Sequence, residues 1–171
     1  MMQNLVKPIA GILTSRRDLL EGVLELMEPS FGEHDILGDW RPFDHTHYYE
    51  EEMGPKLWRT FVSFAKLVPG EAAAGFKEFT REIERRFSAG GRRAVNIDAG
   101  YLDQSKLVLV SGKYGGHKVA IAPHAYADIL LWYNKGWHPM PWAFPDFRDG
   151  QLFPLFDRMR RAFKAATKAS N

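Results

Sequence analysis

The densest chemistry in this chain lies in residues 44–54, a run of acids, histidines and tyrosines that we call the His/Glu segment. It reads Asp-His-Thr-His-Tyr-Tyr-Glu-Glu-Glu-Met-Gly. In an extended backbone, residues two apart share a face, so His45 and His47 are both able to contact one divalent ion. Asp44 and a glutamate such as Glu51 would complete the ligand set. The alternative is a hairpin whose polar side chains are simply solvated.

A second polar run, residues 96–106, follows an apolar stretch that predicts a strand, and we call it the Asp98 segment. Asp98 is a candidate ligand, base or partner of Lys106. A glycine at position 100 would allow either a positive φ or a close approach of another backbone segment. Tyr101 adds a hydroxyl for a ligand. A turn stabilised by Asp and Asn side chains is the alternative.

A third run, residues 111–118, combines small residues with Lys113 and His117, and we call it the Gly/Lys loop. Backbone N–H groups and these cations would hold an anion. The loop is not a P-loop, because Leu107 stands where that motif needs glycine and Tyr114 where it needs Ser or Thr. A flexible hairpin turn is the alternative.

His124, Tyr126 and Asp128 alternate along a predicted strand and so would share one face. With a carboxylate partner, His124 would act as a general acid or base near neutral pH. A solvated, hydrogen-bonded structural set is the alternative. The opposite, core-facing set would be Ala125, Ala127, Ile129 and Leu131.

Composition sets the outer bounds on function. The 171 residues fit a single domain, 1–171, and the apolar fraction of 45% is that of a folded protein. A net charge of +2 does not favour a nucleic-acid partner. The chain has no cysteine, and residues 1–10 hold no apolar stretch of signal-peptide length. We therefore expect a cytoplasmic protein that does not cross a membrane.

Hydrophobic periodicity predicts the elements that position these runs. The order is strand, helix, strand, strand, helix, strand, which is typical of a ferredoxin-like split βαβ core (βαββαβ) in the α+β class. The predicted strands are residues 8–14, 34–43, 57–67 and 93–98, and the predicted helices begin near residues 19 and 70. Three further antiparallel strands, a Pro- and aromatic-rich strap and a C-terminal helix extend this core over residues 106–111, 118–122, 126–133, 137–147 and 151–168.

The predicted topology also suggests how the polar runs meet. We expect the second and fourth strands of the core to run in the same direction, so their C-terminal ends would lie at one end of the sheet. The His/Glu segment and the Asp98 segment would then crowd one rim.

Several segments taken together resemble a bacterial family catalogued as domain of unknown function 4416. The segments that carry the resemblance are Lys7-Pro8 and residues 44–54, 96–102, 105–109 and 142–148. The family has no established reaction, so the resemblance implies only that these segments form the working surface. Some members are labelled GTP-binding proteins, but this chain has neither a P-loop nor an Asn-Lys-x-Asp motif.

Two functional hypotheses follow. The first is a site for an anionic ligand, such as a phosphate- or nucleotide-bearing small molecule, with a divalent metal and the chemistry of a metal-assisted hydrolase. Its ligand-binding residues would be Tyr48, Tyr49, Tyr101, Lys106, Lys113 and His117. Its catalytic residues would be His47, Asp98 and His124, and its metal ligands Asp44, His45, His47 and Glu51. The second is a non-catalytic interaction or assembly module, including a homo-oligomer, that uses exposed Tyr48, Tyr49 and Phe147.

Overall fold

The computed structural model describes residues 4–169, and in this range the chain forms a mixed α+β fold built on one large antiparallel sheet. The prediction of an α+β protein is confirmed, and the sheet is larger than predicted. The strands are β1 (Leu5–Thr14), β2 (His34–Leu37), β3 (Arg41–Phe43), β4 (Leu57–Phe64), β5 (Val68–Pro69), β6 (Ser88–Ala89), β7 (Arg92–Arg93), β8 (Val95–Leu102), β9 (Lys106–Ser111), β10 (Val119–Ala122), β11 (Ala125–Tyr133) and β12 (Trp137–Pro139). The helices are α1 (Leu20–Phe31), α2 (Glu50–Met53), α3 (Phe76–Arg86), α4 (Pro145–Arg148) and α5 (Phe153–Ala169).

The sheet runs in the order β10-β11-β9-β8-β1-β4-β2. The short strands β12, β3 and β5 add to β11, β4 and β1, and β6 pairs with β7 as a separate hairpin. All these pairings are antiparallel.

Helices cover the sheet on both faces, which explains why β4 is buried along nearly its whole length. Val62 and Phe64 belong to the apolar cluster built on α1 and α3. Phe61, of opposite parity, belongs to the cluster built on α5 and α4. Each large side chain buried in this way contributes about 1.5–3 kcal/mol. The alternation in the sequence therefore marks two different cores, not an inner and a solvated face.

The predicted strand 34–43 is two short strands, β2 and β3, interrupted at residues 38–40. The Gly38 N–H donates to the Phe61 carbonyl at 2.8 Å, and its carbonyl accepts the Thr60 hydroxyl at 2.7 Å. A Cβ at Gly38 would lie 2.6 Å from a methyl of Leu155 on α5. A side chain at this position would therefore have to displace the Leu155 methyl where α5 packs on this edge.

The expected direction of the second and fourth core strands is wrong. From β2 through β4 and β1 to β8 there are three antiparallel pairings, so β2 and β8 run in opposite directions. The His/Glu segment therefore meets the start of β8, and Glu52 bonds Arg93 there. Asp103 and Lys106 follow the other end of β8.

Strands β8 and β9 pair only from Gly100 to Leu102 and diverge before that point. The side chains of α3 satisfy the backbone left free on β8. Glu84 accepts the Ile97 N–H at 2.7 Å, and Lys77 donates to the Ile97 carbonyl at 3.3 Å. A Cβ on Gly100 would lie 2.0 Å from the Val108 carbonyl oxygen. Gly100 therefore serves a close backbone approach and not a positive φ.

The predicted pattern on β11 is wrong in two places. His124 precedes the strand in an exposed turn with φ 56°, so it does not line up with Asp128. The register shifts between Ile129 and Leu131, and this bulge buries Leu130 in place of Ile129.

None of the helices within residues 4–169 has the length and apolar character needed to cross a membrane.

Replacing Gly100 with Ala should lower the free energy of unfolding by at least about 1–3 kcal/mol, because the new Cβ would overlap backbone that cannot rotate away. The measurement is urea unfolding. The matched control is Gly75→Ala, where no atom lies within 4 Å of the new Cβ and the backbone is helical. That change should be neutral or add about 0.4–1 kcal/mol. Equal effects of the two variants would contradict the close approach.

Candidate functional site

A buried arginine stands at the centre of the polar groups at this end of the sheet. Arg59 on β4 is 6% exposed, and its Nη1 donates to Asp146 Oδ2 at 2.8 Å. Its Nη2 lies 3.8 Å from Asp98 Oδ2. A charge this deeply buried requires partners, and carboxylates from β8 and α4 supply them.

Aromatic rings enclose the same guanidinium. The Arg59 Cζ atom, at the centre of the guanidinium, lies within 6 Å of four ring centroids. At this distance the face of an aromatic ring attracts a cation. The four rings are Phe43 at 5.3 Å, Phe61 at 4.9 Å, Phe144 at 5.8 Å and Phe147 at 5.4 Å. Phe147 is fully buried against Phe61 and Phe156, so the prediction that it is exposed for a partner is wrong.

Arg59 opens into a cavity of about 260 Å³, which we call the Arg59 cavity. Its lining is Arg41, Pro42, Phe43, Asp44, His45, Arg59, Phe61, Asp146, Asp149, Gln151 and Leu152. The second carboxylate oxygen of Asp146, Oδ1, is buried and has no hydrogen-bond partner within the described residues. Such an atom costs free energy unless a donor reaches it. The cavity thus combines cationic donors with carboxylate acceptors.

Arg41 provides the second guanidinium of this cavity. It donates to the side-chain oxygen of Gln151 at 2.6 Å and to the Gln151 carbonyl at 3.1 Å. Neither acceptor carries a charge. Within residues 4–169, no carboxylate pairs with Arg41, so its charge is available to a ligand.

A chain of polar contacts extends from Asp98 to the neighbouring helices. Asn96 donates to Asp98 at 3.1 Å and accepts from Arg93 at 2.9 Å. Arg93 binds both carboxylate oxygens of Glu52, at 2.7 and 2.9 Å, and reaches Glu84 at 3.2 Å. Hydrogen bonding to Arg93 lowers the pKa of Glu52 from its ordinary value. The network ties α2 and α3 to β8.

Tyr49 lies between this network and the apolar cluster of Leu13, Phe43, Met53 and Leu57. Burial, with a further contribution from the charge of Asp98, raises the pKa of Tyr49 to about 12. The phenol therefore remains protonated at neutral pH and is able to donate a hydrogen bond.

The predicted metal ligands do not form a ligand set. His45 packs edge-on against Phe43 at 5.5 Å and lies 3.9 Å from an oxygen of Asp44. His47 is 88% exposed, and its ring bonds Glu50 at 2.7 Å. Glu51 is exposed. Among residues 4–169, no three His, Asp or Glu side chains converge as a metal would require, so the metal stays a prediction without geometric support.

The predicted anion-binding residues are divided between two ends of the sheet. Lys106 pairs with Asp103 and not with Asp98. At the other end of β9, Lys113 donates to the Tyr48 hydroxyl at 2.5 Å and lies over its ring. That contact joins the His/Glu segment to the Gly/Lys loop.

The remaining predicted ligand-binding and catalytic residues lie apart from the Arg59 cavity. His117 stacks on Trp142 with ring centroids 5.0 Å apart and lies 3.4 Å from Asp128. Tyr101 is half-buried, and burial raises its pKa. His124 makes no side-chain hydrogen bond or ion pair with the rest of the described chain. Of the candidates, Asp98, Asp44, His45 and Tyr49 are the ones that lie at or beside Arg59.

Arg59 and Asp146 were not predicted from the sequence. Arg59 alternates with Trp58 and Thr60 and looks like a solvated strand residue, because nothing local reveals a second helical layer. Asp146 lies inside residues 142–148, one of the segments that carry the family resemblance. That resemblance was the only signal for it.

Fold and cavity together define an α+β protein with a polar cavity at one end of an antiparallel sheet. The chain belongs to the family described as domain of unknown function (DUF4416), whose model matches residues 4–163. The resemblance inferred from the sequence is thereby confirmed. No curated protein and no solved structure matches the chain.

The Glu52–Arg93 pair should make stability depend on pH in the acid range. Because the pKa of Glu52 is lowered in the folded state, its contribution is present above its ordinary pKa of 4.5 and is lost as the pH falls below that value. Glu52→Gln should cost about 1–3 kcal/mol at pH 7 and progressively less below pH 4.5, measured by urea unfolding across pH.

The adjacent Glu51→Gln serves as the matched control, since Glu51 is exposed and unpaired within residues 4–169. Its unfolding profile should follow that of the unaltered protein. A Glu52→Gln deficit that stays constant down to pH 3 would show that the pair is not responsible.

Proposed function

We propose that the chain binds a small molecule with an anionic group, such as a phosphate monoester or a carboxylate, in the Arg59 cavity. The observation that carries this proposal is a guanidinium 6% exposed that lines a cavity and makes a single hydrogen bond. Arginine has five N–H donors in a planar fork that suits carboxylate and phosphate. Several of those donors are therefore unused by the protein.

Arg41 and Arg59 both line the cavity, so an anionic group between them would contact two cations. Asp146 Oδ1 lacks a donor within residues 4–169, and the exposed carboxylates of Asp44 and Asp149 line the same cavity. Hydroxyl or amino groups on the ligand would satisfy these oxygens. The favoured ligand therefore carries an anionic group at one end and hydrogen-bond donors at the other.

The cavity volume favours a small metabolite over a whole nucleotide. About 260 Å³ lies just below the range of about 300–1,000 Å³ usual for drug-sized ligands. A nucleotide would have to leave its base outside, whereas a short phosphorylated or carboxylated compound would fit within.

If the protein is an enzyme, Asp98 and His45 are the groups we propose for proton transfer. Both are partly exposed, and His45 lines the cavity. A metal-assisted hydrolase remains the proposed reaction class, with Asp44 and His45 as the ligands nearest the cavity. The proposed metal is tested by measuring the metal content of the purified protein.

We also propose that β1, β2, β4 and β8 with α1 and α3 are a ferredoxin-like core. The order β8-β1-β4-β2, with a helix after the first and third of these strands in the chain, supports the assignment. A cytoplasmic location, the absence of a nucleic-acid partner and assembly into homo-oligomers stay predictions.

The alternative function is a protein-interaction module. Tyr48 and Tyr114 favour it, because they are exposed at 63% and 77% on neighbouring parts of the surface, the His/Glu segment and the Gly/Lys loop. Tyrosines are enriched in protein interfaces.

Ligand binding should depend on the residues at the cavity and not on exposed neighbours. We expect a thermal-shift screen of small phosphate monoesters and carboxylates to yield a stabilising compound, and calorimetry to give its Kd. Arg41→Gln should weaken that Kd about 10–100-fold, because it removes a cation that lines the cavity and would bond the anionic group. His45→Ala should weaken it as well.

The matched control is His47→Ala, since His47 is two residues away but exposed outside the cavity lining. It should bind as tightly as the unaltered protein. Failure of every compound to bind, or equal affinities for the His45 and His47 variants, would refute the proposal.

The module hypothesis makes a separate prediction. If the chain forms an oligomer through these tyrosines, the double variant Tyr48→Ala with Tyr114→Ala should dissociate it, because two exposed contact rings are lost. The sedimentation coefficient should then fall towards that of a single chain. An unchanged sedimentation profile would argue against an oligomer assembled through these tyrosines.

A further inference from the structure

We propose that a second cavity, the arginine cleft, binds the phosphate group of a small molecule whose apolar body rests on the cavity floor. This inference does not depend on the Arg59 cavity. The cleft is bordered by the end of β1, by α2, by the end of α3 and by the β6–β7 hairpin. Its volume is about 430 Å³, within the range of about 300–1,000 Å³ usual for small-molecule sites. Its lining is Ser15, Arg16, Leu19, Glu52, Met53, Arg86, Phe87, Ser88, Ala89, Arg92, Arg93 and Ala94.

The charge of the lining strongly favours an anion. Four of its residues are arginines and one is a glutamate. Arg93 is already committed, because it binds both oxygens of Glu52 and also reaches Glu84. The single acid of the lining is therefore neutralised within the protein, and the other three arginines are not balanced by the walls of the cleft.

Those three arginines are only weakly engaged. Arg16 pairs with Asp18 at 2.7 Å and Arg86 approaches Glu82 at 3.8 Å, with both pairs well exposed. Ion pairs this exposed are weak, because water screens them, so a phosphate is able to replace them. Arg92 has no side-chain hydrogen bond or ion pair within residues 4–169. Three guanidinium groups of the lining are thus free of a strong partner within the described residues.

The floor of the cleft is apolar, which sets the class of ligand. Leu19 just before α1, Met53 on α2 and Phe87 just after α3 form it, and they are less exposed than Arg16, Arg86 and Arg92. Inorganic phosphate has no apolar part, so it would leave this apolar floor exposed to water. A phosphate monoester with a flat apolar body would cover it and gain about 25 cal/mol per Å² of apolar surface removed from water.

An apolar wall separates the arginine cleft from the Arg59 cavity. Leu13, Phe43, Met53 and Leu57 form one buried cluster. Phe43 lines the Arg59 cavity on one side, and Met53 lines the cleft on the other. Substitutions at residues that line only one cavity and make no contact with Asp98, Asn96 or Arg93 therefore test that cavity alone.

The test is calorimetric titration of the full chain with phenyl phosphate, and with inorganic phosphate and phenol as the two halves of that probe. We expect phenyl phosphate to bind most tightly. Arg16→Ala combined with Arg92→Ala should weaken it by at least about tenfold, because a hydrogen bond to a charged group contributes about 1.5–3 kcal/mol. Arg158→Ala, which removes an exposed charge from α5, is the matched control and should leave the affinity unchanged.

Equal affinities for phenyl phosphate and inorganic phosphate would overturn the proposed apolar floor. Equal losses in the cleft variant and in Arg158→Ala, or no binding of phenyl phosphate, would overturn the site. Arg41→Gln, which alters only the Arg59 cavity, should leave intact the phenyl phosphate binding that the double cleft variant loses. That variant therefore separates failure of the cleft from failure of the Arg59 cavity.

Discussion

Arg59 is able to remain charged inside the fold only if carboxylates and aromatic faces replace the water it has lost, and the local structure is arranged to supply both. Asp146 on α4 forms an ion pair with the guanidinium, Asp98 approaches it from β8, and four phenylalanine rings surround it. Removing one partner of such a buried pair typically costs about 3–5 kcal/mol. The contacts with Arg59 therefore hold α4, and Phe144 just before it, against β4. The Arg59 cavity forms where α4 and β4 meet.

The antiparallel topology explains why two cavities occur at this end of the sheet. Because β2 and β8 run in opposite directions, the chain that follows β3 passes the start of β8. It forms α2 there. One side of this short helix faces the arginine cleft through Glu52, and Tyr49 just before it approaches Asp98. Arg93 and Asn96 complete a continuous series of polar contacts between the two sides. Both cavities thus share one network while an apolar wall keeps their interiors apart.

Much of the fold follows from periodicity alone. The helix predicted over residues 151–168 is α5, and the strand predicted over residues 57–67 is β4. Local pattern could not reveal that helices cover both faces of the sheet, so Arg59 looked solvated and Phe147 looked exposed. The bulge at residues 129–131 and the turn at His124 depend on pairing between distant strands, which the alternation of one strand does not encode. Asp98 was identified from its type and position, whereas its partners required the tertiary structure.

The most direct test of the Arg59 cavity is the ¹H–¹⁵N spectrum of the arginine side chains during titration with small phosphate monoesters and carboxylates. The Nε–H group of a buried, enclosed arginine exchanges slowly with water and should give a separate signal. We predict that a compound whose binding is weakened by His45→Ala will shift the Arg59 signal and leave that of Arg158 on α5 unchanged. An Arg59 signal that stays fixed while such a compound binds would contradict the account, because the ligand would then lie elsewhere.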